Sequence, residues 1–400
     1  MMTDLQQEII PTRYTYPSPG FSQYWNRGSG RFLLEKIRNT PDIALAQQRI
    51  PWFWQYDALA DTVIHELYDT VGMRRAMEVV REALSDEYTG FEAAPPALRR
   101  MLNEMITSVE TADPDLLETG AAFCRRTGVK GLIVLRDYCL MGGYESAAIN
   151  KPLVFTGALK KGPAKRMSET TQFWMDVTGK EALRPFAPGF RAAVQVRLLH
   201  AFSRVSILRM TEWRSEAWGI PLNLWDMTAT NLGFSLVFLE GVRKMGYQPL
   251  NIEVKGLLHL WKYIGILLGI PATCLPDTEE AAIADLYTWT MTQPPGDEDT
   301  KALARALMHE PLQVKYLKYD WQKRLLLRLN LGYNQYFLGR EACDALTLSP
   351  SFFEHYPRFL AFLTRLFENT AAPGTPAYQK KVLKGRKEQE RVNALASMNT

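Results

Sequence analysis

His200 has Arg197 three residues before it and Arg204 four after it. On a helix those spacings share a face, so one imidazole and two guanidinium groups point the same way. The flanking residues are apolar, and burying two cations beside a histidine is costly unless something anionic or metallic meets them. A haem would meet all three, with iron for the imidazole and propionates for Arg197 and Arg204. The same residues also admit a hydrogen-bonded core histidine with both arginines paired to acids, because burial beside charge marks a site only statistically.

The element that must position this trio is a helix over Phe190–Met210, opened by Pro188-Gly189 and free of internal breakers. Its apolar residues, from Ala193 and Val194 through Leu198, Leu199 and Phe202 to Leu208, cover nearly the whole circumference and predict a buried helix. Before it, the pattern predicts a helix over Asp57–Leu84, broken at Val71-Gly72 and carrying a solvated or capping His65. Further helices are predicted over Ala97–Val109, Leu116–Arg126, Leu132–Leu140 and Ala147–Leu159. Lys165–Val177 places Arg166 and Thr170 four apart on one face, beside Phe173 and Trp174; an ordinary amphipathic helix reads the same.

After the central helix, Gly219–Asn223 is a turn into a helix from about Trp225 or Asp226 to Met245. Thr230, Gly233 and Ser235 on it would let another helix or a flat ligand approach, a reason for tolerating a glycine that costs roughly 1 kcal/mol. Glu253–Ile270 is predicted helical and carries His259, a rival for any ligand role. Glu279–Thr292, Lys301–Met308, Asp320–Leu331 and Phe352–Phe367 continue the pattern. Residues 1–55 read as an extended arm and 56–370 as one all-helical body with no strand run and no repeat. Residues 371–400 read as a charged tail, a solvated helix or disordered. The expected fold class is all-α.

Composition narrows the classes. The chain has 400 residues, 46% hydrophobic and 22% charged, as expected of a soluble globular protein. A net charge of +4 without a basic stripe argues against nucleic acid. No apolar run reaches the length of a membrane span, and no leader pattern opens the chain. Cys124, Cys139, Cys274 and Cys343 are scattered and read as reduced thiols, which suits the cytoplasm. Five histidines, none four apart, leave little room for an all-histidine metal site, and Glu-x-x-His pairs, His-Glu-x-x-His, Gly-x-Ser-x-Gly and phosphate-loop patterns are missing.

The stretches Val196-Arg197-Leu198-Leu199-His200-Ala201, Trp218-Gly219-Ile220-Pro221-Leu222-Asn223 and Trp261–Ile270 resemble the latex-clearing proteins (rubber oxygenases) and the related MpaB-type oxygenases. Tyr56–Asp61 is a looser match. The resemblance covers roughly residues 55–275 and is most specific at the histidine motif. It implies an all-helical body with a globin-like core enclosing non-covalent haem b. It puts the iron on His200 and the distal arginine and threonine at Arg166 and Thr170. Two positions depart from the rubber-cleaving branch. Glu169 stands where that branch has a lysine, and Asn150 where it has an acid, with Glu145 a displaced substitute. The departures count against polyisoprene cleavage and leave haem binding untouched.

The expected function is thus a haem b-dependent oxygenase using O2 on an apolar, unsaturated, isoprenoid-like molecule, with an apolar channel beside Phe173, Trp174 and Gly233. A haem binder or sensor without turnover, and a cofactor-free helical interaction protein, are the alternatives.

Overall fold

The computed structural model describes residues 9–85, 88–157, 162–368 and 371–397. The described chain is all-α, with no strand. The principal helices are α1 (Ala58–Ala83), α2 (Pro96–Glu110), α3 (Pro114–Arg126), α4 (Gly128–Val134), α5 (Ala147–Phe155), α6 (Pro163–Val177) and α7 (Pro188–Leu208). They continue with α8 (Leu224–Leu232), α9 (Asn251–Leu267), α10 (Glu279–Thr290), α11 (Glu298–Gln313), α12 (Asp320–Leu338), α13 (Tyr356–Phe367) and α14 (Pro376–Ser397).

Local chemistry sets most of the boundaries. Asp113 caps α3 by accepting from the amides of Asp115 and Leu116, and Pro96 occupies the first turn of α2. In α1 the break falls at Gly72, whose φ of 73° is open to glycine but rare for other residues. Helix α4 runs on as a π-helical segment, Leu135–Leu140, and α8 as another, Gly233–Val237. The two π segments pack on each other. The expected end of the Ala147–Leu159 helix lies outside the described residues.

Helix α7 is supported by α1, α6 and α9. It buries Phe190, Ala193, Val194, Leu198, Ala201 and Val205, but Leu199 is 58% exposed and Leu208 also faces outward. The expectation of burial all round therefore fails on one stripe. Residues apolar on every side cannot show which side the neighbouring helices cover. Helices α3 and α9 cross so closely that a Cβ on Gly120 would lie 2.2 Å from the Gly256 carbonyl oxygen. This contact anchors α9 beneath α7.

The arm, expected to be extended, folds into short helical pieces, Gln23–Arg27, Arg31–Leu34, Ile43–Gln48 and Ile50–Phe53, and ties down the site's periphery. Arg13 grips Asp226 at 2.6 and 2.8 Å. The amides of Ile220 and Leu224 donate to the carbonyls of Phe53 and Gln55, which leads the chain into α1.

The C-terminal tail is helical, as one of the two expectations had it, but it is docked on the body and neither solvated all round nor disordered. Residues 376–397 form α14, which packs on α3, α4 and α6. Tyr378, Val382, Gly385 and Gln389 form its buried stripe. Gln389 Nε2 donates to the carbonyls of Cys124 and Arg125 at 3.0 and 3.3 Å. Tyr378 Oη donates at 2.8 Å to Glu253, whose carboxylate also binds Arg126 at 2.6 and 2.9 Å.

Candidate functional site: a histidine cleft between two arginine–aspartate pairs

Two rungs join α7 to the start of α1. Arg197 forms a forked pair with Asp57, Nε to Oδ2 at 2.6 Å and Nη2 to Oδ1 at 3.0 Å. Seven residues on, Arg204 meets Asp61, with Nη2 to Oδ1 at 2.6 Å and Nε to both oxygens at 3.0 and 3.1 Å. Arg204 also donates to the carbonyls of Asp57 and Leu222, at 3.2 and 3.4 Å. Asp57 caps α1 by accepting from the Ala60 amide and Asp61 sits in its first turn, two places where carboxylates are favoured. Arg197 and Arg204, expected to meet a cofactor's propionates, each meet a carboxylate of the chain itself.

His200 lies between the rungs. With Gln55, Tyr56, Asp57, Arg204 and a wall of Leu222, Leu224, Met227, Leu268, Gly269, Ile270 and Pro271, it lines a cleft of about 230 Å³. Its Nδ1 is buried with no hydrogen-bond partner. Burial and the Arg204 cation hold the imidazole's pKa down to about 4, against a smaller opposing pull from Asp57. At neutral pH the ring is therefore uncharged, with a lone pair to offer. Burial pushes the Asp61 carboxyl up, and Arg204 opposes the shift.

The cleft wall is locally constrained. Gly269 has φ +88°, and a Cβ there would lie 2.3 Å from Asp57 Oδ2. Leu222 holds φ at 55°, an uncommon value for a branched residue and one found where surrounding contacts over-determine the backbone. Asn223 fixes the same turn: its side chain accepts from the Asp226 amide and donates to the Ile220 carbonyl, both at 3.0 Å.

Arg166 and Thr170 lie on α6, which packs along α7, but neither lines the His200 cleft. Arg166 Nη1 donates to Tyr144 Oη at 3.1 Å. Glu169 faces solvent and pairs loosely with Lys165 at 3.9 Å. Asn150 spends both amide hydrogens on the carbonyls of Gly143 and Ser146, each at 2.8 Å, so it locks the turn before α5. Glu145, next to Tyr144, is enclosed by protein, and burial alone raises its carboxyl pKa to about 7. The resemblance put Asn150 where the rubber-cleaving branch has an acid and Glu145 as a displaced substitute; of the two, Glu145 is the one able to exchange a proton near neutrality.

The remaining expectations divide. Trp174 is fully buried against Phe238, with ring centres 5.6 Å apart. A side chain at Gly233 would meet no atom within 4 Å, so no neighbouring helix presses on it and the space there is open. His259 accepts from the Asp113 amide at 3.2 Å, tying α9 to the α3 cap, and His65 is exposed. All four cysteines are free, and the described residues hold no cluster of three metal-binding side chains.

The residues present would suit a haem held by a single imidazole: the ring is neutral, and its Nδ1 is buried without a hydrogen-bonding partner. The cleft is smaller than the roughly 300–1,000 Å³ of ordinary small-molecule sites, so a macrocycle on His200 needs space beyond it. Around His200, the aspartates hold the arginines, and the arginines hold α7 against α1.

Comparisons with known proteins converge. A rubber oxygenase from Streptomyces sp. (strain K30) is 23% identical over 233 residues, 57% of this chain and 56% of that protein. The chain thus spans only about half the length of that curated relative. The solved structure of latex clearing protein LCP in the closed state superposes with a TM-score of 0.65 at 20% identity, covering 84% of this chain and 90% of that one; it shares the all-helical fold. Residues 125–367, which include α7 and both arginines, match the family described as ER-bound oxygenase mpaB/B'/Rubber oxygenase, catalytic domain, and the chain belongs to that family.

Proposed function

We propose that this chain is a haem b-dependent oxygenase that uses O2 on an apolar, unsaturated, isoprenoid-like substrate. The observation that carries the reading is His200, a neutral imidazole without hydrogen bonds, enclosed between two arginine–aspartate pairs in a chain of this oxygenase family. Bound haem would supply the binding and activation of O2, and His200 would be its protein ligand. Arg204, which lines the cleft, and Arg197 would share their charge between the cofactor's carboxylates and Asp61 and Asp57.

On the substrate side, Arg166 would donate hydrogen bonds where negative charge develops. Tyr144 holds its guanidinium from one side and leaves other N–H groups free to turn. Thr170, one turn along α6, would orient the reacting group. Glu145 would take up and return a proton, since its carboxyl is poised near neutrality. The outward Glu169 gives no lysine-like cap, which supports a small isoprenoid substrate over polyisoprene. The four free cysteines suit the cytoplasm, to which we assign the chain.

Oxygen uptake tests the reading. The haem-loaded protein should consume O2 with polyprenyl or terpenoid alkenes, and Arg166→Ala should lower kcat by about a hundredfold at unchanged haem content. Haem without oxygen consumption would mean a binder or sensor. The completed Arg197–Asp57 and Arg204–Asp61 pairs favour a second reading, a cofactor-free interaction protein, because no outside anion is needed to neutralise them. Failure to take up added haemin would establish that one.

A further inference from the structure

Helix α13 wears its amphipathicity outward. Pro357, Ala361 and Thr364 pack inward, while Phe359 and Phe362 are each 58% exposed, and Leu366 and Phe367 more so. Phe352, in the turn just before the helix, is 99% exposed. Single exposed apolar residues are ordinary, but a helix-long stripe of phenylalanines is not.

The neighbouring α12 extends the surface. Its outer face alternates exposed Trp321 and Leu325 with Arg324 and Arg328. Ser351 Oγ donates to the Arg328 carbonyl at 2.7 Å, and the Tyr333 and Tyr356 rings meet with centres 6.4 Å apart. The two helices therefore lie against each other.

Charge decides what can cover this face. Residues 318–328 and 352–367 carry six cations, Lys318, Lys323, Arg324, Arg328, Arg358 and Arg365, and two acids, Asp320 and Glu354. None of the six has a carboxylate partner within ion-pair distance among the described residues, whereas most cations flanking the core do. A second copy placed against this face across a two-fold axis would oppose like charges. Aromatic side chains flanked by arginine and lysine instead match the chemistry of a lipid headgroup layer, with rings at the acyl boundary and cations on phosphates. No described helix is long and apolar enough to cross a membrane, so contact would be with the surface alone.

We propose that the α12–α13 face seats the protein on an anionic phospholipid surface, with the α13 stripe lying in the headgroup plane. This assignment rests on the surface and stands apart from the chemistry at His200.

The test is co-sedimentation of the full chain with phosphatidylcholine vesicles, with and without phosphatidylserine. The protein should pellet with the phosphatidylserine-containing vesicles and release in high salt. Phe359→Ser/Phe362→Ser should lower partitioning at least about tenfold at an unchanged melting temperature. Arg324→Gln/Arg358→Gln, which leaves the apolar stripe intact, should weaken binding as well. The proposal is overturned by no pelleting with either vesicle, by equal pelleting with both, or by a dimer in light scattering that the phenylalanine substitutions dissolve.

Discussion

Asp57 and Arg197 close a forked ion pair, 2.6 and 3.0 Å, between residues 140 positions apart in the chain. It pins the cap of α1 to the turn of α7 that precedes His200. Both partners are largely buried, so the pair holds geometry more than it adds net stability; removing one partner is what costs. Asp57→Ala should destabilise the protein by about 3 kcal/mol in denaturant unfolding, since it strands Arg197 and removes a cap. A loss below about 1 kcal/mol would mean the pair is incidental.

Gly269 supports that pair by what it lacks. At φ +88°, with Asp57 Oδ2 only 2.3 Å from where a Cβ would stand, Gly269→Ala should cost at least about 2 kcal/mol and perturb the His200 cleft. Gly143→Ala is the control: nothing lies within 4 Å, and it should be neutral or slightly stabilising. Similar unfolding midpoints for the two variants would contradict the geometry.

Glu145 gives a pH dependence whose sign can be worked out. Its folded pKa of about 7 lies above the 4.5 of an ordinary glutamate, so the fold prefers the protonated form. That preference is harmless below pH 4.5, and stability is lost as pH rises through 7. Glu145→Gln should therefore match the wild type near pH 4 and exceed it at pH 8 by up to about 3 kcal/mol in chemical denaturation. An equal offset at both pH values would show that the carboxyl does not titrate in this way.

Helix α14 belongs to the body. Deleting residues 376–400 should uncover the Tyr378 and Val382 seats and leave the carbonyls of Cys124 and Arg125 without Gln389, lowering the melting temperature by several degrees or more. A truncated chain melting with the intact one would contradict this packing.

The sequence disclosed the helices through their own local chemistry: Pro96 and Asp113 at starts, Gly72 at a break, apolar spacing between. It disclosed much less about what each helix touches. The buried stripe of α14 is Tyr378, Val382, Gly385 and Gln389, only two of them large apolar residues, so a segment full of lysine and glutamate read as solvated. The all-apolar surface of α7 hid the exposure of Leu199. Arg197 and Arg204 stand out in the sequence as cations that need a counter-charge, whereas Asp57 and Asp61 lie in a stretch marked only by a loose family resemblance. No local pattern links two such pairs across 140 residues. Likewise, Asn150 and Glu145 differ by burial and bonding that five residues of sequence spacing do not encode.

The most direct test of the central claim is the absorption spectrum of the purified protein, with and without dithionite and carbon monoxide, beside that of His200→Ala. The account predicts a Soret band in the wild type, whether as isolated or after adding haemin, that shifts with carbon monoxide and is lost in the variant. A variant that keeps the full spectrum, or a folded wild type that stays colourless with haemin, would contradict it.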